Sequence, residues 1–108
     1  MTALSLARQL VDSTRRHVEK SADPYVISRF GDLQIRVEVA AALFERAETH
    51  PSPVAATEAQ IAAAEALIAA SNAEFELTGQ RTALPPSLDD PLRTKYQIVG
   101  NYHLNGVL

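Results

Sequence analysis

Pro24-Tyr-Val-Ile-Ser-Arg-Phe-Gly-Asp-Leu-Gln-Ile-Arg-Val-Glu-Val-Ala-Ala-Ala-Leu-Phe-Glu-Arg-Ala-Glu-Thr49 is the stretch that decides the fold. Its apolar residues Val26, Phe30, Leu33, Val37, Ala40, Phe44 and Ala47 succeed one another in alternating steps of four and three. An α-helix turns once every 3.6 residues, so this spacing gathers them into one stripe and predicts a single helix over 24–49. Gly31 inside it costs about 1 kcal/mol against Ala, which a stripe of this length tolerates. Asp32 and Arg36 stand four apart and form an ion pair along the flank. Asp23 caps the start, because its carboxylate accepts from a first-turn N–H. Pro24 lacks the N–H that would have no partner there.

The same punctuation recurs further along, at Ser52-Pro53 and Asp90-Pro91. From Pro53 a second long helix is predicted over 53–78, with Gly79 as its stop. Ten alanines lie between Val54 and Thr78. Glu58, Glu65, Asn72 and Glu76 fall into one narrow polar band, and most of the remaining girth is Ala, Ile, Leu or Phe. A helix apolar around most of its girth is wedged between neighbours, and small alanines let those neighbours approach. Ser71 and Asn72 mark where the seam turns polar. The turn at 49–52 is short, so the two long helices form an antiparallel hairpin. A first helix is predicted over 3–20, with Leu4, Ala7, Val11 and Val18 on one face. Residues 79–90 form a loop in which Pro85-Pro86 bars helix. A last helix is predicted over 91–102, with Leu92, Tyr96 and Val99 on one side. After it, Asn101-Tyr-His-Leu-Asn-Gly106 reads as chain leaving regular structure. The expectation is one all-α domain over 1–108: an antiparallel up-and-down bundle of two long central helices with a shorter helix at each end.

The helix over 24–49 carries a second apolar row, Ile35, Val39 and Leu43, away from its main stripe. Either another subunit or domain contacts this row, or the first or last helix covers it.

Composition narrows the function classes. With 108 residues and no cysteine, the chain has no disulfide framework, thiolate metal site or cysteine nucleophile. The net charge of −3 argues against a nucleic-acid surface. The one basic cluster, Arg15, Arg16, His17 and Lys20, has Asp12 and Glu19 beside it and reads as a solvated helix face. No run of 18 apolar residues occurs and no signal-peptide pattern opens the chain, so a cytoplasmic protein without a membrane partner is expected. His17, His50 and His103 lie on separate elements without Glu-x-x-His or His-Glu-x-x-His spacing, so no metal ligands are assigned. No phosphate loop or nucleophile elbow is present. Asp89 and Asp90 are read as a cap before Pro91, and no catalytic residue is assigned.

Two segments nonetheless look familiar. One runs from Val18-Glu-Lys-Ser-Ala-Asp-Pro-Tyr-Val-Ile27 through Arg29-Phe-Gly-Asp-Leu-Gln-Ile-Arg-Val-Glu38 to Ala42-Leu-Phe-Glu-Arg-Ala47. The other is Ala73-Glu-Phe-Glu-Leu-Thr-Gly-Gln-Arg81 with Asp90-Pro-Leu-Arg-Thr-Lys-Tyr-Gln-Ile-Val-Gly-Asn-Tyr-His-Leu-Asn-Gly106. Together they resemble the C-terminal helical domain of acyl-CoA-dehydrogenase-like flavoproteins. The nearer branch is that of dibenzothiophene-monooxygenase-like and sulfur-acquisition oxidoreductases. The resemblance implies a four-helix bundle that follows a helical and a β-domain in tetrameric flavoproteins. It implies FAD or FMN as cofactor, with the turn Gly79, Gln80 and Arg81 near its phosphate or ribose groups. Gly79 would permit close backbone approach and Arg81 would pair with a phosphate. Read without the resemblance, the same turn is a plain helix C-cap with an exposed arginine. The family's two preceding domains are not in this sequence. Thr82-Ala-Leu-Pro-Pro-Ser-Leu-Asp89 also stands where the family carries a longer stretch rich in Trp, Arg, Asn and His. The chain is therefore expected to be a truncated bundle, inactive alone, that contributes to flavin-site packing and oligomerisation. Its partners would be copies of itself or N-terminal flavoprotein domains. The alternative is a non-catalytic helical module for oligomerisation or partner binding.

Overall fold

A computed structural model describes residues 2–85 and 92–107. They form four helices, α1 (Ala3–Val18), α2 (Pro24–Thr49), α3 (Pro53–Thr78) and α4 (Leu92–Asn105), and no strand occurs among the described residues. Each of the first three starts on a side-chain cap. Thr2 Oγ1 accepts from the Ser5 N–H at 3.1 Å, Asp23 Oδ1 from Tyr25 at 2.9 Å and Ser52 Oγ from Ala55 at 3.0 Å. Asp89, Asp90 and Pro91 lie outside the described residues, so the expected third Pro-led cap does too.

Two helix ends differ from the sequence expectation. α1 stops at Val18 instead of running to Lys20, because Lys20 takes a left-handed backbone (φ 66°) and the Ser21 N–H folds back to the Val18 carbonyl at 3.2 Å. Charged residues such as Glu19 and Lys20 suit a helix as well as a turn, so their pattern gives no stop. α4 continues to Asn105 rather than ending at 102. Asn105 Nδ2 donates to Asn101 Oδ1 at 2.9 Å along the helix, and Gly106 (φ 69°) is the actual terminator. The asparagines read as chain leaving regular structure are part of its last turn.

α3 is the centre of the molecule, packing against α1, α2 and α4. Tyr25 and Arg29 at the start of α2 meet Glu76 near the end of α3, while Arg46 near the end of α2 reaches Glu58 near the start. α2 and α3 are therefore an antiparallel hairpin. His103 of α4 approaches the same Glu58, so α4 runs back along the N-terminal half of α3. Among the described helices, α4 packs on α3 alone. The long axis of 47 Å fits two 26-residue helices, each about 39 Å by its rise per residue.

The main core joins Leu6, Ala7 and Leu10 of α1 with Leu33 and Val37 of α2 and Ala66, Leu67, Ala70 and Ala73 of α3. Ala59, Ala63, Ala66, Ala70 and Ala73 are buried along α3, and with no side chain beyond Cβ they bring the flanking helices close. The inward face of α1 is rotated from the one expected. Leu6, Leu10 and Thr14 are buried beside Ala7, whereas Leu4, Val11 and Val18 are half-buried. On α4 the buried residue is Lys95; Leu92 and Val99 are half-buried and Tyr96 is exposed. Neither α1 nor α4 covers the second row of α2: Ile35 is 64% and Val39 49% exposed, with Leu43 half-buried. No described helix is long and apolar enough to cross a membrane.

Candidate functional site

The turn that ends α3 is built around one left-handed residue. Gly79 sits at φ 75° and its N–H donates to the Phe75 carbonyl at 2.9 Å. A side chain there would strain the backbone. The space around it is open, since a Cβ would meet nothing within 4 Å. Thr78 Oγ1 stiffens the turn by donating to the Glu74 carbonyl at 2.7 Å and accepting the Gln80 N–H at 3.1 Å. Gln80 itself is exposed.

Arg81 folds back over α3. Its Nη1 donates to Ser71 Oγ at 2.7 Å, both Nη atoms reach Asn72 Oδ1 at 3.4 Å, and the guanidinium stands 5.1 Å from the centroid of the Phe75 ring. A cation at this end of a helix faces the partial negative charge of unpaired carbonyls, and the ring face adds to the attraction. A guanidinium has five N–H donors, so these contacts leave two for another acceptor. Gly79, Gln80 and Arg81 thus form one turn, with the arginine's charge partly committed to α3.

The structure adds a group beside this turn that sequence reading passed over. Glu74 is 7% exposed. Its Oε1 accepts the Thr82 N–H at 2.6 Å and its Oε2 the Thr82 hydroxyl at 2.5 Å. These bonds tie the start of the loop to α3. A signal was present: by the helical period Glu74 lies about 160° around α3 from Glu58, on the side away from the polar band. A lone carboxylate on an apolar face is buried, so it needs partners. Ser13, Thr14 and His17 of α1 face Glu74 and Thr78 of α3 across a cleft of about 240 Å³, with Gln80 and Thr82 completing its wall. Ser13 and His17 on the last turns of α1 thereby lie beside the last turn of α3, so the two helices run parallel.

The remaining polar clusters are surface networks. Asp12 is held below the ordinary carboxylate range by its hydrogen bond from Arg15 at 2.6 Å, with Arg16 adding its charge from 2.5 Å. Tyr25 donates to Glu76, and that bond pushes the phenol above its ordinary range. Asp32 pairs with Arg36 at 3.0 Å as the spacing predicts. His17 lines the cleft, His50 Nδ1 stands 3.1 Å from Thr49 Oγ1, and His103 Nε2 stands 3.3 Å from Glu58. Among the described residues no three metal-ligating side chains come together.

No protein-family model, curated protein or solved structure matches this chain.

Proposed function

We propose that this chain is the C-terminal helical bundle of a flavin-dependent oxidoreductase of the acyl-CoA dehydrogenase type, a scaffold with no reactive group of its own. The reading rests on the resemblance carried by the Gly79 turn and the α4 segment. The observation that supports it best is the turn's geometry: an open left-handed glycine, an exposed Gln80 and a guanidinium with two N–H donors uncommitted. An arginine so placed suits a phosphate oxygen of FAD or FMN. The groups that face the flavin ring and substrate come from elsewhere, from other copies of the chain or from N-terminal flavoprotein domains. The compartment proposed is the cytoplasm.

The test is a titration of FAD and FMN, followed by flavin fluorescence, into the chain alone and into the chain co-expressed with such N-terminal domains. Binding is expected only in the complex, and Arg81→Ala should weaken it about tenfold, the usual worth of a charge-assisted hydrogen bond. A complex that assembles yet binds no flavin overturns the reading.

A second reading, a module for self-association, is favoured by the uncovered Ile35 and Val39 on α2. Light scattering should then show a dimer or larger species. Ile35→Asp should return it to monomer without loss of helical structure, read by far-ultraviolet circular dichroism. A wild-type chain that stays monomeric at every concentration counts against this reading.

A further inference from the structure

The outer face of α2 is shaped and charged to meet a second copy of itself. At about 100° per residue, Ser28, Gly31, Ile35, Val39 and Ala42 fall within roughly 80° of one another, about 170° around from the buried Leu33, Val37 and Ala40. All five are exposed, and Ile35 is the most exposed large apolar side chain of the helix. Gly31 stands out among them. It lies in regular helix and a Cβ there would meet nothing within 4 Å, so nothing in the chain requires a glycine. A glycine inside a helix costs stability. Its effect here is a notch one turn from Ile35, where a second helix can approach closely.

The flank of this face carries both signs of charge. Asp32 and Arg36 pair along the helix at 3.0 Å, and both stay close to half exposed. Two antiparallel helices related by a two-fold axis lay each flank against the same flank of the other, and every contact between two positions occurs twice. An axis crossing at Gln34 sets Asp32 of each copy level with Arg36 of the other, so four charges alternate in sign. The same register seats each Ile35 in the notch at Gly31. A parallel pair would set Ile35 against Ile35 and Gly31 against Gly31, leaving the notch empty, and would align the two helix dipoles unfavourably.

We infer that α2 is the surface by which this chain recognises a second copy, the two helices pairing antiparallel about Gln34, with each Ile35 over the partner's Gly31 and each Asp32 facing the partner's Arg36. This rests on the reading of the chain as a self-associating module and adds the partner face and its register.

Charge exchange tests the register in the full chain. Asp32→Arg and Arg36→Asp each place like charges across the axis, and each alone should weaken the dimer about tenfold or more in sedimentation velocity. An equal mixture of the two restores opposite charges at both positions and should form a mixed dimer about as readily as the wild type. The chain has no cysteine, so single replacements locate the axis independently. Ile35→Cys should cross-link to the same position in the second copy on mild oxidation, the two sites lying within disulfide reach. Ala42→Cys should not, because its two sites lie about 24 Å apart along the helices at their rise per residue. A wild-type chain that stays monomeric overturns the inference together with the module reading. A wild-type dimer that the mixture fails to restore, or in which Ala42→Cys cross-links as readily as Ile35→Cys, overturns the inference and leaves the module reading standing.

Discussion

Tyr25 and Glu76 join the first turn of α2 to the last turn of α3 by a single contact between side chains, with Arg29 at 3.7 Å from the same carboxylate. The phenol donates only while it is protonated, and the bond to Glu76 holds its pKa above the ordinary value of 10.0. A group whose folded pKa is raised contributes stability that is complete below its unfolded pKa and lost as pH rises through the folded one. The Tyr25–Glu76 tie should therefore be intact through neutral pH and open only in strong base. Following tyrosinate absorbance against pH, one of the three tyrosines is expected to titrate later than the others. Glu76→Ala should bring that midpoint back toward the ordinary value, and an unmoved midpoint would show that the contact does not persist in solution. At the same scale, Glu74 shows why a buried polar side chain is hard to read in advance. Its burial depends on Thr82, eight residues away across the Gly79 turn, and neither the helix pattern nor the turn alone links the two.

The elements themselves were legible where periodicity and caps agree. α2 and α3 begin at the prolines that follow Asp23 and Ser52, and α3 ends on Gly79, as the residue types require. Where charged or amide residues stand at a boundary, as Glu19 and Lys20 do after α1 and Asn101 and Asn105 do in the last turns of α4, the sequence offers no local reason to stop or continue. Tertiary turns and Gly106 made the choice. The inward face of α1 departs from its expected stripe for a related reason. A helix set in the groove between two others buries a broad arc, and the stripe through Leu4, Val11 and Val18 lies at its margin rather than its middle. The caps that were legible should carry measurable stability. Ser52 Oγ holds the Ala55 N–H at 3.0 Å, so Ser52→Ala is expected to cost about 1 kcal/mol, read as a lower denaturant midpoint with an unchanged slope. Thr57→Ala, which removes a hydroxyl bonded to a carbonyl of its own helix at 2.8 Å, should stay within about 0.5 kcal/mol.

At the scale of the whole molecule, the helices are unequal in what holds them. α3 is buried along most of its length by the three helices around it, whereas α4 packs on α3 alone among the described helices and has one buried residue among those described, Lys95. Its side-chain tie to the start of α3 is the His103–Glu58 contact at 3.3 Å, between a histidine 57% exposed and a carboxylate that also faces Arg46. Exposed ion pairs of this kind contribute little, roughly 0–1 kcal/mol, so this contact alone does not keep α4 in place. Backbone hydrogen bonds open with a free energy set by the local packing that must be broken, which ranges from near zero at frayed elements up to that of global unfolding. Amide hydrogen exchange should therefore fall into two classes. Amides at the centre of α3, from Ala63 to Ala73, should exchange only through global unfolding, while those of α4 exchange through a local opening that leaves the other three helices intact. Adding denaturant discriminates between them: the slope of exchange free energy should match that of global unfolding for α3 and be distinctly shallower for α4. Equal slopes would mean that α4 unfolds together with the α1–α3 core. If the chain assembles with copies of itself or with flavoprotein domains over α4, the shallow class should disappear in the complex, giving a readout of that contact independent of flavin binding.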